Sequence, residues 1–307
     1  MVSSQEDLFQ PVIELPEPTR QARYQRLVGL DHIKIALRKE ASLLADRSQL
    51  DKWAGRYHKG RPTALDLFAD RAPLFVFAGD VGAGKTALAE SFGCDLSEQL
   101  RVPAYLYRLK LSSRGSGLVG EMTTLIGDAF TILHTEGKRA RTSRGINSVL
   151  ILVVDEADAL AQSRASSQMH HEDRSGVDAV LQGVDGLAGA GLPIIVVMCT
   201  NRGDQLDPAV LRRAAAIYTF GRPDAEQRRA VLTSALTGLG ISPTGIEAAV
   251  QATGPRGEGP AYTYSDLTQR LVPAVILAAF PDRKVDDALL LSVVAGVEAT
   301  PVFTPES

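Results

Sequence analysis

Five short apolar runs are spaced along the first 220 residues of the chain. They cover 74–78, 104–109, 149–154, 194–199 and 217–220, with helix-compatible stretches between them. Nearly continuous apolar runs of this length are typical of strands buried on both faces, as in a parallel sheet covered by helices. The pattern therefore predicts an α/β domain built on a parallel sheet.

The pattern changes after Gly221, where only helical periodicity remains. The predicted helices cover 226–236, 246–252, 265–280 and 286–294. Residues 1–26 hold Pro11, Pro16 and Pro18 and little periodicity, so we expect an extended arm or linker there. The predicted organisation is an arm over 1–26, a large α/β domain over 27–220 and a small helical domain over 221–307.

Composition narrows the class of protein. The 307 residues carry a formal net charge of −3, and the charge pattern shows no dominant basic stripe, so binding to nucleic acid is not expected. The two cysteines, Cys94 and Cys199, lie far apart in apolar surroundings, which predicts buried, reduced thiols. The polar N-terminal segment is no signal peptide and no apolar run is long enough to span a bilayer, so we expect a cytoplasmic protein without a membrane partner.

A phosphate-binding motif follows the first predicted strand and leads into a predicted helix. It is the run Gly79, Asp80, Val81, Gly82, Ala83, Gly84, Lys85 and Thr86, followed by Ala87, and it fits the pattern G-x-x-x-x-G-K-[ST]. Its glycines let backbone N–H groups approach the phosphates of a nucleotide. Lys85 is expected to reach the β- and γ-phosphates, and the Thr86 hydroxyl to bind magnesium.

Two carboxylates end the third predicted strand, Asp155 and Glu156. Ligands of open α/β sheets bind at the carboxyl ends of the strands, which places this pair beside the phosphate loop. Asp155 is expected to hold Mg²⁺, directly or through water. Glu156 is expected to orient and deprotonate the water that attacks ATP.

Four segments resemble the AAA+ ATPases related to protein-remodelling machines. They are D-E-A-D-A-L at 155–160, C-T-N-R at 199–202, L-D-P-A-V-L-R at 206–212 and L-V-G-L at 27–30. The resemblance implies an α/β domain with a helical lid, and a ring of six identical subunits that hydrolyses ATP with Mg²⁺. It implies that Asn201 positions the attacking water, and that Val28 and Gly29 lie at the adenine.

The same resemblance implies an arginine that reaches the γ-phosphate bound by a neighbouring subunit. Counting from Asn201 gives Arg212, but Ala215 stands where most relatives have a second arginine. The segment 211–223 resembles the pachytene-checkpoint branch of the family, and that match gives Arg213. Both arginines stay candidates. The branch remodels HORMA-domain proteins, and its bacterial members are associated with anti-phage (CBASS) operons, which implies a HORMA-domain client.

A glycine-rich segment, 116–121, follows the second predicted strand where this family has its substrate-gripping pore loop. Leu118 and Val119 take the place of the usual aromatic residues, and apolar contact with an extended peptide is one interpretation. The alternative is an ordinary connecting loop. The usual sensor-2 arginine is not evident, and Arg270 is either its substitute or a solvated helix residue.

Four functions compete at this point. The motifs favour an ATP-driven protein remodeller, and the alternative within the family is a loader or helicase that acts on nucleic acid. A decayed nucleotide site is a third possibility, against which Lys85, Asp155 and Asn201 all argue. A P-loop kinase fits poorly with the helical lid and the D-E-A-D run.

Overall fold

The computed structural model describes residues 4–110, 121–143, 145–157, 171–203, 206–257 and 259–302. The chain forms two compact units. The first comprises Met1–Gln25, Ile33–Ala78 and Thr86–Thr219; the second comprises Arg26–His32, Gly79–Lys85 and Phe220–Ser307. The division differs from the predicted boundaries, because the phosphate loop and the turn before the first long helix cluster with the helical part of the chain.

The first unit is built on a six-stranded sheet. Its strands are β1 Ile13–Leu15, β2 Leu74–Gly79, β3 Ala104–Arg108, β6 Val149–Val154, β7 Ile194–Thr200 and β8 Ala216–Phe220, and a separate short hairpin pairs β4 Arg141–Thr142 with β5 Gly145–Ile146. The strand order in the sheet is β1-β3-β6-β7-β2-β8. Strands β3, β6, β7 and β2 run parallel to one another. Every residue of β6 and β7 is buried, which confirms the prediction from their apolar runs.

The prediction of an extended arm over residues 1–26 was wrong. β1 pairs antiparallel with β3, with Ile13 opposite Leu106 and Leu15 opposite Ala104. Leu8 and Leu15 are each 1% exposed. β1 has only three residues and lies between two prolines, so it is too short to show the alternation of apolar and polar residues that predicts a strand. It forms because the backbone groups of β3 offer hydrogen-bonding partners, which the local sequence cannot reveal.

Ten helices of the described residues belong wholly or mainly to the first unit. They are α1 Gln5–Leu8, α2 Pro18–Arg26, α3 Asp31–Ala45, α4 Ser48–Tyr57, α5 Ala64–Ala69, α6 Lys85–Ala89, α7 Phe92–Leu100, α8 Glu121–Ala140, α9 His171–Leu187 and α10 Pro208–Arg213. Leu133 of α8 and Val184 of α9 share one core with Leu152 and Val196 of the sheet. Burial of these apolar helix faces fixes the strand ends that carry the candidate site.

The second unit is helical, as predicted after Gly221. Its helices are α11 Ala225–Ala235, α12 Pro243–Ala252, α13 Val272–Ala279 and α14 Asp287–Gly296, and a π-helical segment, Asp266–Leu271, runs directly into α13. Pro273 has no N–H to donate into the preceding turn, which accounts for the wider turn where one continuous helix is predicted. Leu232, Val250 and Leu290 form the centre of its core.

Both cysteines are buried free thiols, as their apolar surroundings predict. Burial raises the pKa of the Cys94 thiol, so this side chain stays protonated and unreactive near neutral pH. In the part of the chain that the structure describes, no helix combines the length and the apolar character needed to cross a bilayer.

Candidate active site

The phosphate loop is shaped by a close approach of two backbone segments of the second unit. Gly79 has a φ of +147°, and a Cβ at this position would lie 2.0 Å from the carbonyl oxygen of Phe220. The N–H of Asp80 donates to the same carbonyl across 3.3 Å. Only glycine fits this contact, so the first glycine of the motif sets where the loop begins.

Lys85 is buried and its ammonium group lies on the loop itself. Nζ donates to the carbonyl oxygens of Gly79 and Asp80 across 2.8 and 2.7 Å, and the residue is 6% exposed. These contacts place an ammonium group on the loop, and a positively charged side chain is the kind of group that phosphate binding requires.

The turn over residues 26–32 belongs to the same unit as the loop. Gln227 of α11 donates Nε2 to the carbonyl oxygen of Gly29 across 2.8 Å. A Cβ on Gly29 would lie 2.7 Å from the Tyr264 hydroxyl, and its φ of +80° also favours glycine. Burial raises the pKa of Tyr264 to about 12. Val28 packs on the core of the second unit, so one compact unit contains Val28, Gly29 and the loop from Gly79 to Lys85.

Thr86 and Asp155 meet in the first unit. The Thr86 hydroxyl donates to Asp155 Oδ1 across 3.1 Å, and Asp155 directly follows β6. A hydroxyl and a carboxylate are the hard oxygen ligands that Mg²⁺ prefers, and Mg²⁺ takes few protein ligands when it also binds phosphate. The described residues contain no cluster of three or more His, Cys, Asp or Glu side chains that could hold a metal alone. The pair fits a magnesium ion shared with a nucleotide.

Glu156 has an unusual backbone. Its φ is +51°, in the left-handed region that costs a non-glycine residue roughly 1 kcal/mol. Its N–H donates to Asp155 Oδ1 across 3.0 Å, and its side chain is exposed. The next residue, Ala157, donates its N–H to the carbonyl oxygen of Cys199 across 2.9 Å. The turn is thus fixed at both sides, and it presents the Glu156 carboxylate to solvent.

Asn201 follows β7, the strand beside β6. Val154 lies opposite Met198 in this parallel pair. Because both strands end at the same edge of the sheet, Asp155 and Asn201 lie on one edge of the first unit. This is the position that a residue orienting the attacking water requires.

Arg212 and Arg213 end helix α10 in different environments. Arg213 donates Nε and Nη2 to the two carboxylate oxygens of Asp185 across 2.7 and 3.0 Å, and Nη1 to the Ala209 carbonyl across 3.1 Å. These hydrogen bonds with Asp185 raise the pKa of Arg213. Arg212 is exposed, and its side chain has no partner among the described residues.

The remaining predicted residues have separate outcomes. Leu118 and Val119 of the predicted pore loop lie outside the described residues. Arg270 donates Nη1 to Asp266 Oδ1 and to the Glu298 carbonyl oxygen, both across 2.9 Å. An arginine held in this way takes part in the packing of the second unit.

Sequence reasoning missed Arg222 and Ser265, which contact the phosphate loop. Arg222 Nε donates to Asp80 Oδ2 across 2.6 Å, and the Ser265 N–H donates to the Gly82 carbonyl oxygen across 3.1 Å. Arg222 stands in an inconspicuous G-R-P run after β8. Its partner lies 142 residues away in the chain, so no local pattern reveals the pair.

Comparison with known proteins gives matches along most of the chain. The family model of the ATPases associated with various cellular activities (AAA) matches residues 75–222. The chain is 47% identical to CD-NTase-associated protein 6 of Escherichia coli (strain MS 115-1), with 98% of this chain and 97% of the relative covered.

Two solved structures are also similar over nearly the full length. A chain of the E. coli MS115-1 HORMA:CdnC:Trip13 complex matches with a TM-score of 0.93 and 46% identity, covering 99% of this chain and 100% of that chain. The Rhizobiales Trip13 structure matches with a TM-score of 0.75 and 38% identity, covering 95% and 99%. The resemblance to the pachytene-checkpoint branch, drawn from a few segments, is confirmed. The chain is an ATPase that belongs to the AAA family and, within it, to the group of CD-NTase-associated protein 6.

Proposed function

We propose that this ATPase assembles as a homo-hexameric ring and uses ATP hydrolysis to remodel a HORMA-domain protein in an anti-phage signalling system. One observation carries the proposal: the match at a TM-score of 0.93 to a chain solved in a HORMA:CdnC:Trip13 complex. The name of the E. coli relative, which associates it with a CD-NTase, supports the same setting. We place the protein in the cytoplasm, because the ATP that it consumes is made there.

The chain's own residues divide the chemistry between them. Lys85 places its ammonium group on the phosphates, and Thr86 and Asp155 would hold the Mg²⁺ that would neutralise charge on them. Glu156 accepts a proton from the attacking water while Asn201 orients it. The exposed Glu156 carboxylate and its fixed backbone turn support this role, because a base must meet water without changing position.

The arginine pair at the end of α10 supplies the group that acts on a neighbouring subunit's ATP. Arg212 is free to reach outward as the structure stands. Arg213 would first leave Asp185, but an exposed pair of this kind contributes only about 0–1 kcal/mol, so the contact does not bar it from the role. A guanidinium in trans stabilises charge that grows on the γ-phosphate in the transition state.

The direct test is ATP-dependent capture of the client. The Glu156→Gln chain, in ATP, is mixed with a HORMA-domain protein of the kind found in the E. coli MS115-1 complex and followed by size-exclusion chromatography with light scattering. We expect co-elution at the mass of six subunits with bound client, and loss of co-elution in ADP or with Lys85→Ala. ATPase activity stimulated by DNA, together with no client capture in ATP, would instead indicate a nucleic-acid loader.

A further inference from the structure

Arg222 joins three separate segments of the second unit. Its Nε donates to Asp80 Oδ2 across 2.6 Å, and its Nη1 donates to the carbonyl oxygens of Ala261 and Thr300 across 2.6 and 2.7 Å. The Arg222 and Asp80 side chains are only 12% and 16% exposed. One guanidinium therefore ties the phosphate loop to the segment before the π-helix and to residues 298–300, which we call the C-terminal strap.

Asp80 passes this anchoring on to Lys85. Its Oδ1 accepts a hydrogen bond from the N–H of Val81 across 2.8 Å, while Oδ2 takes the guanidinium. Its backbone oxygen accepts the Lys85 ammonium across 2.7 Å. The position of Asp80 thus determines both the shape of the loop and the place where the Lys85 ammonium group lies.

The strap is held at a second point, Asp266, which is fully buried. Asp266 accepts the Thr300 N–H on Oδ2 across 3.0 Å and the Thr300 hydroxyl on Oδ1 across 2.6 Å. Arg270 donates both to Asp266 and to the Glu298 carbonyl oxygen, each across 2.9 Å. The Thr300 carbonyl that Arg222 needs is therefore fixed in place.

Stability alone is a poor explanation for this arrangement. A mostly desolvated ion pair is often no more stable than apolar residues of the same volume, and Arg222 Nη2 is buried without a hydrogen-bond partner among the described residues. What the arrangement does provide is a defined position for the Asp80 side chain. The planar guanidinium donates to three acceptors in fixed directions, so it holds Asp80 in one position.

We propose that Arg222 is a positioning residue that keeps Asp80 and Lys85 of the phosphate loop in the geometry that binds ATP. The C-terminal strap, held by Asp266, is required for this role of Arg222. The inference rests on the assignment of the loop to ATP. Residues that act on the attacking water are in the first unit, so loss of the Arg222 contacts weakens ATP binding more than it slows turnover at saturating ATP.

The first experiment uses full-length variants at the ion pair. For Arg222→Gln and Asp80→Asn we expect the Kd of a fluorescent ATP analogue to rise about tenfold or more, as for loss of a charged hydrogen bond. Arg222→Lys keeps the charge and should recover part of the affinity. The double variant should be no weaker than the worse single variant, because both remove one interaction. For Arg222→Gln, kcat should fall by a smaller factor than Kd rises.

The matched control is Arg229→Gln, which breaks an exposed pair with Glu247 in the same unit, 2.8 Å apart. Its Kd for the ATP analogue should not change.

The strap is tested separately with Thr300→Val, which removes the hydrogen bond from the Thr300 hydroxyl to Asp266 and should raise the Kd about threefold. The control is Thr233→Val, at an exposed site on α11, which should leave the Kd unchanged.

Each outcome bears on the inference. An unchanged Kd in Arg222→Gln, or a fall in kcat with Kd unchanged, would overturn it. So would additive losses in the double variant. Failure of the ATP assignment itself is seen independently, since the wild-type chain would then bind the ATP analogue no more tightly than Lys85→Ala does.

Discussion

The Thr86 hydroxyl donates a hydrogen bond to Asp155 Oδ1 across 3.1 Å, joining the last residue of the phosphate motif to the residue that directly follows β6. The two lie 69 positions apart in the chain. Both were predicted to bind Mg²⁺ from separate motifs, and the fold brings them into direct contact. A hydroxyl and a carboxylate side by side are the kind of oxygen groups that suit an ion which also binds phosphate and water.

Lys85→Ala should weaken ATP binding by about 10- to 100-fold, as expected when a hydrogen bond between charged groups is lost. Equilibrium titration with a fluorescent ATP analogue measures this. Lys52→Ala, at an exposed lysine of α4, is the control and should bind as the wild type does. Equal affinities for both variants would remove Lys85 from the phosphate site.

Glu156→Gln should retain ATP and slow hydrolysis by at least about a hundredfold, because the amide keeps the shape of the side chain but cannot accept a proton. Single-turnover hydrolysis of labelled ATP separates this step from product release. Glu226→Gln, at an exposed position in the first turn of α11, should leave the rate unchanged. A rate near that of the wild type in Glu156→Gln would exclude it as the base.

Arg212→Ala and Arg213→Ala should differ sharply. The variant that lacks the trans-acting arginine should lose roughly a thousandfold in turnover with little change in ATP affinity. The other variant should change little, or lose only stability. Asp185→Asn frees Arg213 from its partner, and it should leave turnover intact if Arg212 is the acting residue.

Mixed rings test whether the site is shared between subunits. Combining the inactive arginine variant with Lys85→Ala places intact arginines beside intact phosphate loops at some boundaries, so part of the ATPase activity should return. If both arginine variants hydrolyse ATP normally, at a rate independent of protein concentration, the shared site is wrong.

Asp266 predicts a pH dependence of stability. Burial would raise the pKa of this carboxyl, but hydrogen bonds from Thr300, Thr263 and Arg270 outweigh burial and lower the pKa from 3.8 to about 2. The stabilisation is therefore complete above the unfolded-state pKa and is lost as the pH falls from about 4 to about 2, with a magnitude of about 2 kcal/mol.

The measurement is urea unfolding of the wild type and Asp266→Asn at several pH values. The difference in the free energy of unfolding between them should be largest near neutral pH and shrink as the pH drops toward 3. If the difference in the free energy of unfolding stays constant over this range, the Asp266 carboxyl has the same pKa in the folded and the unfolded state.

The five strands with apolar runs and the phosphate loop were predictable because each is a local pattern. All six residues of Val149–Val154 are apolar and buried, so one run of sequence indicates both the strand and its burial on both faces. The G-x-x-x-x-G-K-T run specifies the loop in the same way, because it needs glycines and a lysine at fixed spacing.

The features that sequence did not reveal depend on distant partners. Ile13–Leu15 becomes a strand only because β3 offers an open edge. Arg213 finds Asp185 from 28 positions away, and Arg222 finds Asp80 from 142. Each of these contacts is created by the packing of the fold, and a single sequence carries no spacing that predicts it.

Hydrogen exchange of a HORMA-domain protein during ATP turnover by this ATPase shows whether hydrolysis remodels the client. When the client is in large molar excess over the ring, the wild type in ATP should accelerate hydrogen exchange in protected backbone segments of most client molecules, and Glu156→Gln should not. Acceleration by a ring present in such small amounts requires repeated, ATP-driven remodelling. Steady ATP hydrolysis with client exchange identical to that of the client alone would mean that this ATPase does not remodel the HORMA-domain protein.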